Sequence, residues 1–533
     1  MEDPPIAKLH SDLLWQIFAT NAALDLRKIG QEFGTYRSES CFSPLTTTRH
    51  TSQVCASWRQ LTIDSPSLWS SIIDLESLRQ KSDAWRNEVL IRTGNSDLSI
   101  FGNLRGGGRQ HAKEFLEILL KHHWTRIKWV HVKFNGFDTA DWPDSAWSAL
   151  GRPAPNLRLF SIDFGRYIPP ICSSSGFILF ANHAPLLAHF QQNHLLVNLE
   201  ASWTSDLISL TLNSTSNLKL SIFLETYSRM RSLQTLRLMF GFERERPSPE
   251  GSLHYVNIPS LSTLVIECPF DVSLAFLDHI KPAPGCSLRL SASLTNIHSI
   301  TPMDLVAAQR IIAKFTNNYF CHRSATSFRL SFNPKFINVG DMGGFMLSIQ
   351  SVTTIPTPLF QVLLGTFKPA HISSVKILRI VAYPNPPSST DFLAAMTALE
   401  ELEVNSSSLI YFIHLLDGID QQCSFPHLKT LKWEPDSAIV VSPNSTSLIV
   451  NFLATRRKIG IPIEMFDFTG WYITSYIPMD TEMLEEIPGL KVVWREEGGG
   501  LREYICGSGR PQELGAIRNS SRWNPVLCDI PTM

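Results

Sequence analysis

In the stretch "QVCASWRQLTIDSPSLW", residues 53–69, apolar side chains recur at Val54, Trp58 and Leu61, spaced i, i+4 and i+7. On a helix this spacing makes one apolar stripe, with Arg59 and Gln60 turned away from it. The preceding "TTTRHTS" (46–52) offers several N-caps for that helix. The Asp64-Ser65-Pro66 step ends it, because Pro66 has no amide hydrogen and pushes Ser65 out of the helical region. Leu68 and Trp69 follow at once, where the chain must come back against what it has built. Upstream, "LHSDLLWQIF" places Leu9, Leu13 and Ile17 together with Leu14 and Phe18 on one wide apolar face, with Ser11 and Asp12 of N-cap quality at its start. Two such helices, separated by a polar insert over 21–49, are too small to bury all of these side chains against each other. Part of that surface is expected to meet a partner; the plainer alternative is that both helices cap the domain that follows.

Beyond Trp69 the chain returns repeatedly to L-x-x-L-x-L with aliphatic or aromatic substitutes, each copy set in a short strand. The copies are Ile127-Val130-Val132, Leu157-Phe160-Ile162, Leu207-Leu210-Leu212, Leu233-Leu236-Leu238 and Leu261-Leu264-Ile266, then Val375-Leu378-Ile380, Leu399-Leu402-Val404, Leu428-Leu431-Trp433 and Ile463-Phe466-Phe468. Successive copies often lie roughly 21 to 30 residues apart, the period range of leucine-rich repeats. Helix-like stretches such as "RQHAKEFLEILLKHH" (109–123) and "STDFLAAMTALEEL" (389–402) lie between them. Strand, turn, helix, turn, repeated, predicts an α/β solenoid with a parallel sheet. A mixed α/β domain whose parallel strands only look repetitive is the competing reading, since buried parallel strands are apolar in any case.

The asparagine or cysteine that usually follows the third leucine is missing from its place in nearly every copy, so the expected array is irregular. Its excursions are "CSSSGFILF" (172–180) and the Pro- and Ser-rich "FERERPSPEGS" (242–252) and "YPNPPSST" (383–390). The domain reading is a helical module over 1–75, the repeats over 76–500, and an end without periodicity, expected to be loosely packed, over 501–533.

Charge narrows the partners. Lys plus Arg (47) nearly cancel Asp plus Glu (48) in the 533 residues, so no bulk field recommends nucleic acid or an anionic membrane. Nine cysteines without a C-x-x-C argue against a disulfide framework or a zinc ribbon. The first residues lack a signal-peptide pattern and no run of about 18 or more apolar residues occurs, so a soluble intracellular protein, cytoplasmic or nuclear, is expected. The sequons at Asn213, Asn405, Asn444 and Asn519 are then not glycan acceptors.

Catalytic signals are weak. "GNLRGGGRQ" (102–110) lacks the G-K-[ST] ending of a phosphate-binding loop and reads as a flexible loop. His122-His123, His189 with His194, and Cys321-His322 do not reach a zinc-ligand set. Neither G-x-S-x-G nor H-E-x-x-H is present. The expectation is no catalytic residue, no metal and no cofactor.

The order of residues in the N-terminal blocks resembles the F-box, and "SPSLWSSI" (65–72) is especially similar to F-box-like proteins of fungal type. The family pattern runs Leu-Pro-x-Glu-[aliphatic]-Leu-x-x-Ile-Phe, then Val-Cys-x-x-Trp-Arg-x-[aliphatic], then Leu-Trp. Leu9, Asp12, Leu13-Leu14 and Ile17-Phe18 stand in the first block, Val54-Cys55, Trp58-Arg59 and Leu61 in the second, and Leu68-Trp69 in the third. The chain departs from the pattern in having His10 for the proline and a longer insert. The resemblance implies that Leu9, Leu13, Leu14, Ile17, Phe18, Val54, Trp58, Leu61, Leu68 and Trp69 dock a Skp-type adaptor, which joins a cullin scaffold in a ubiquitin ligase. The repeats would then bind an unknown target protein, with Arg237, Arg379, Glu401, Glu403, Lys432 and Asp467, which alternate with the core positions, as contact candidates. The alternative function is a stand-alone leucine-rich-repeat binding protein whose N-terminal helices only cap the solenoid.

Overall fold

The computed structural model describes residues 9–22, 43–104, 110–134, 147–164, 169–174, 176–193, 195, 197–213, 219–239, 254–294, 300–382, 389–417, 425–433, 445–470, 481–496 and 500–519. The glycine-rich 105–109, His194, the Pro-rich loops at 242–252 and 383–388, most of the polar insert and the end from 520 lie outside them. The chain is mixed α/β with mostly parallel strands, and it divides into two compact units, Met1–Leu261 and Ser262–Met533.

The first unit opens with helices α1 (Ser11–Ala22), α2 (Pro44–Thr51), α3 (Ala56–Ile63), α4 (Pro66–Ser70) and, after a turn, α5 (Ala84–Arg92). The "TTTRHTS" stretch is not a source of caps for α3. It is the body of α2, which starts at Pro44 because proline suits the first helical position and Ser43 accepts the Thr46 amide at 3.3 Å. Helix α3 instead begins after Cys55 without a side-chain cap. Val54 therefore stands in a turn and not at the head of a helical stripe. Pro66 ends α3 as expected and also opens α4 as its first residue.

Strands β1 (Ile73–Asp74), β2 (Leu98–Leu104), β3 (Ile127–Phe134), β4 (Leu159–Asp163), β5 (His189–Asn193), β6 (Ser209–Asn213) and β7 (Thr235–Met239) pair in chain order, every pairing parallel. Their register aligns Ile100, Val130, Phe160, Phe190, Leu210 and Leu236 in one buried row. Successive rings in this row stack, Phe160 on Phe190 at 5.6 Å, and Phe180 and Trp203 from the connections pack over them. Phe180 comes from the expected excursion "CSSSGFILF" and holds φ of +56°, in a left-handed stretch with Ala181 and Asn182 that turns its ring into the core.

In the second unit β8 (Thr263–Pro269) pairs in parallel with β9 (Ser287–Leu294). The next strand in sequence, β10 (Ser327–Asn333), does not lie beside β9. It continues through β11 (Phe336–Asp341) and β12 (Met346–Ser351) as an antiparallel meander, and β12 is the strand that joins β9. From β10 the parallel order resumes with β13 (Ile377–Ala382), β14 (Glu401–Val404), β15 (Thr430–Trp433), β16 (Met465–Asp467) and β17 (Lys491–Arg495). The buried face packs on helices through pairs such as Phe332 with Phe360 and Phe328 with Phe392.

Every L-x-x-L-x-L copy read from the sequence has its three core positions buried. Two copies escaped the pattern: Leu187-Phe190-Gln192, with a buried glutamine in the third place, and Ala325-Phe328-Leu330, with alanine in the first. The helix expected over 389–402 covers only Thr390–Ala394, because Leu399 and Leu402 belong to the next strand repeat. The stretch from 501, read as a loose end, carries β18 (Leu501–Ile505), antiparallel to β17, and a helix Gln512–Asn519 with Leu514 and Ile517 buried. Up to residue 519 it adds a further strand beside β17.

Candidate functional site

The N-terminal residues singled out by sequence separate by burial. Leu14, Phe18 and Leu68 form a core with Trp58 and Leu61 half-buried against it, and the Phe18 and Trp58 rings meet edge to face at 4.9 Å. Trp69 is fully buried, donates from Nε1 to the Thr62 carbonyl at 2.8 Å, and takes the Arg92 guanidinium over its ring at 4.5 Å. Leu68 and Trp69 thus anchor α4 to α3 and α5. The remaining residues face outward: Leu9 is 37%, Leu13 49%, Ile17 42% and Val54 63% exposed, with Trp15 beside Leu14 also exposed. Leu13 and Ile17 are one helical turn apart on α1, so they share a face. Ahead of α1, His10 accepts the Asp12 amide at 3.3 Å through Nδ1, the role the sequence suggested for Ser11.

The contact candidates on the strands are brought together except for Arg237, which belongs to the first unit. In the second unit Arg379, Glu403, Lys432 and Asp467 are register partners on consecutive parallel strands, with Glu401 on the same face two residues before Glu403. Arg329, which sequence reading missed, extends this row on β10 beside Arg379. Lys432 donates to Glu403 Oε1 and lies 3.8 Å from Glu401. Burial works against the Lys432 ammonium, yet the hydrogen bond to Glu403 and the charges of Glu403, Glu401 and Asp467 outweigh it and raise its pKa. Burial and the neighbouring Glu403 and Asp467 carboxylates raise Glu401, against the pull of Lys432. The face is a row of charges of both signs with Lys432 paired to Glu403 at its middle, suited to a surface with its own pattern of both signs.

The first unit carries a different row on the corresponding strand face. His131, Ser161 and Gln191 are register partners joined by hydrogen bonds, His131 Nδ1 to Ser161 Oγ at 2.8 Å and Ser161 to Gln191 at 3.3 Å. Beyond it Asn193 donates to Asp163 at 2.5 Å and Asn213 donates to Asn193. These side chains directly follow the third buried position of their strands and join the strand ends through hydrogen bonds. Burial, with Lys133 adding to it and Asp163 opposing, pulls His131 down to about 4.

Among the described residues no three His, Cys, Asp or Glu side chains gather as a metal site, and no helix is long and apolar enough to cross a membrane. No protein-family model matches the chain, and no curated protein matches it in sequence.

Proposed function

We propose that the chain is a substrate receptor of a cullin-based ubiquitin ligase. Helices α1–α4 act as an F-box-like module that docks a Skp-type adaptor, and the strand repeats form an irregular leucine-rich-repeat-like solenoid that holds a target protein. The observation that carries this reading is the division within the F-box-like blocks: Leu14, Phe18, Leu68 and Trp69 hold the helices, whereas Leu9, Leu13, Ile17 and Val54 stand in water. An apolar helix face left exposed beside a well-formed small core fits a partner helix better than it fits a cap. No residue of this chain then performs chemistry. Its contribution is to hold a target lysine near ubiquitin carried by other subunits, a gain in proximity. Such a receptor works in the cytoplasm or nucleus. Co-purification of the full chain with adaptor and cullin tests the reading. Recovery of both supports it, and a folded chain that recovers neither overturns it.

One observation favours the stand-alone solenoid: β1 follows α4 directly and pairs with β2, so the helices also cover the start of the parallel ladder. The two roles are compatible, because covering uses the buried residues and docking the exposed ones.

A further inference from the structure

Between α2, α3 and α5 lies a cavity of about 460 Å³ that neither the core nor the exposed apolar face uses. Its wall takes one guanidinium from each helix, Arg49, Arg59 and Arg92, together with Gln53, Gln80 and the Trp85 indole, and among the described residues no acidic side chain lines it. Arg92 engages Glu88 at 2.7 Å outside the lining. Two of the arginines share one aromatic ring: the guanidiniums of Arg49 and Arg92 lie 5.6 Å and 5.7 Å from the Trp85 centroid. The loop that brings in Gln80 is fixed from behind by Arg86, a fully buried side chain that donates to the carbonyls of Leu78 and Gln80 and pairs with Asp83. Bringing three like charges from separate helices to one concavity costs Coulomb repulsion, which an anion relieves.

We infer that this cavity is a binding site for a small anion carrying several phosphate groups. Its volume lies in the range of roughly 300–1,000 Å³ used for small-molecule ligands and exceeds the needs of a single phosphate. Guanidinium forks match phosphate oxygens in bidentate geometry, and three of them around one space suit a linked set of phosphates. Gln53 and Gln80 supply further amide donors. The site stands independently of adaptor docking, since its lining includes none of Leu9, Leu13, Ile17 or Val54.

Titration calorimetry of the full chain with sodium tripolyphosphate, and separately with inorganic phosphate, tests the inference. Saturable one-to-one binding of tripolyphosphate is expected, tighter than inorganic phosphate by about tenfold or more. The double variant Arg49→Gln with Arg59→Gln should weaken it by a further tenfold or more while circular dichroism shows the chain still folded without ligand, because both side chains are exposed. Arg79→Gln, on the loop outside the cavity, should leave the affinity unchanged. Absence of saturable binding, or equal losses in the Arg79 and double variants, overturns the site in favour of diffuse charge attraction. Failure of tripolyphosphate to bind combined with weaker adaptor binding by the double variant also overturns it, assigning the arginines to protein docking.

Discussion

At the scale of single residues, burial decides what each side chain is for, and His131 shows it most directly. Its ring is enclosed among strand neighbours and its pKa falls from 6.5 to about 4. Between those values the unfolded chain binds the more protons. The contribution of His131 is therefore complete above about pH 6.5 and is lost as pH falls toward 4, by up to about 3 kcal/mol. Urea midpoints from pH 7 to 5 should fall less steeply for His131→Asn than for the native chain; identical slopes would place the histidine in water. This residue was not legible in the sequence, where a histidine between two core valines, Val130 and Val132, reads as any exposed strand position. Gln192 hid a whole repeat for the same reason, because a buried glutamine looks polar until its Oε1 is seen accepting the Leu195 amide at 2.6 Å.

At the scale of elements, helix α1 offers a paired comparison. Leu14→Ala or Phe18→Ala removes a core side chain and should cost about 2–5 kcal/mol in chemical denaturation, whereas Leu13→Ala or Ile17→Ala, one position away, should stay within about 0.5 kcal/mol as a surface change. Equal losses at all four positions would mean that the outward face is covered within the chain. The spacing of apolar residues in "LHSDLLWQIF" showed that the helix is amphipathic but not which part of its wide face the chain itself buries. The charged row on β13–β16 behaves differently. Lys432→Glu sets a fourth carboxylate among Glu401, Glu403 and Asp467 and should cost on the order of 2 kcal/mol, with Lys432→Gln losing less. A melting temperature unaffected by the reversal would show that the row is solvated and contributes no structure. The positions of this row were legible from the alternation along each strand. The meander β10–β12 was not, because β10 carries the L-x-x-L-x-L spacing only with alanine in its first place, β11 and β12 lack it, and the turn between them depends on Gly340, where any side chain would collide with the Phe345 backbone.

At the scale of the whole molecule, the N-terminal helices and the first parallel strands are one folded unit. A cut after residue 75 would remove Leu68, Trp69, Ile72, Ile73 and Leu75, all buried, and with β1 the strand that covers β2. Such a truncation is expected to melt at lower temperature whatever the helices bind, and a body that melts unchanged without them would show that the helices fold apart from it. Docking and covering are separable only by substitutions on the exposed face. The measurement that tests the ligase-receptor account most directly is titration of a purified Skp-type adaptor into the full chain by calorimetry. The account predicts one-to-one binding that the pair Leu13→Ala with Ile17→Ala weakens by about a hundredfold or more, as loss of two apolar anchors worth about 2 kcal/mol each would do, with circular dichroism melting unchanged. Absence of adaptor binding by the native chain, or an affinity untouched by the pair, would contradict it.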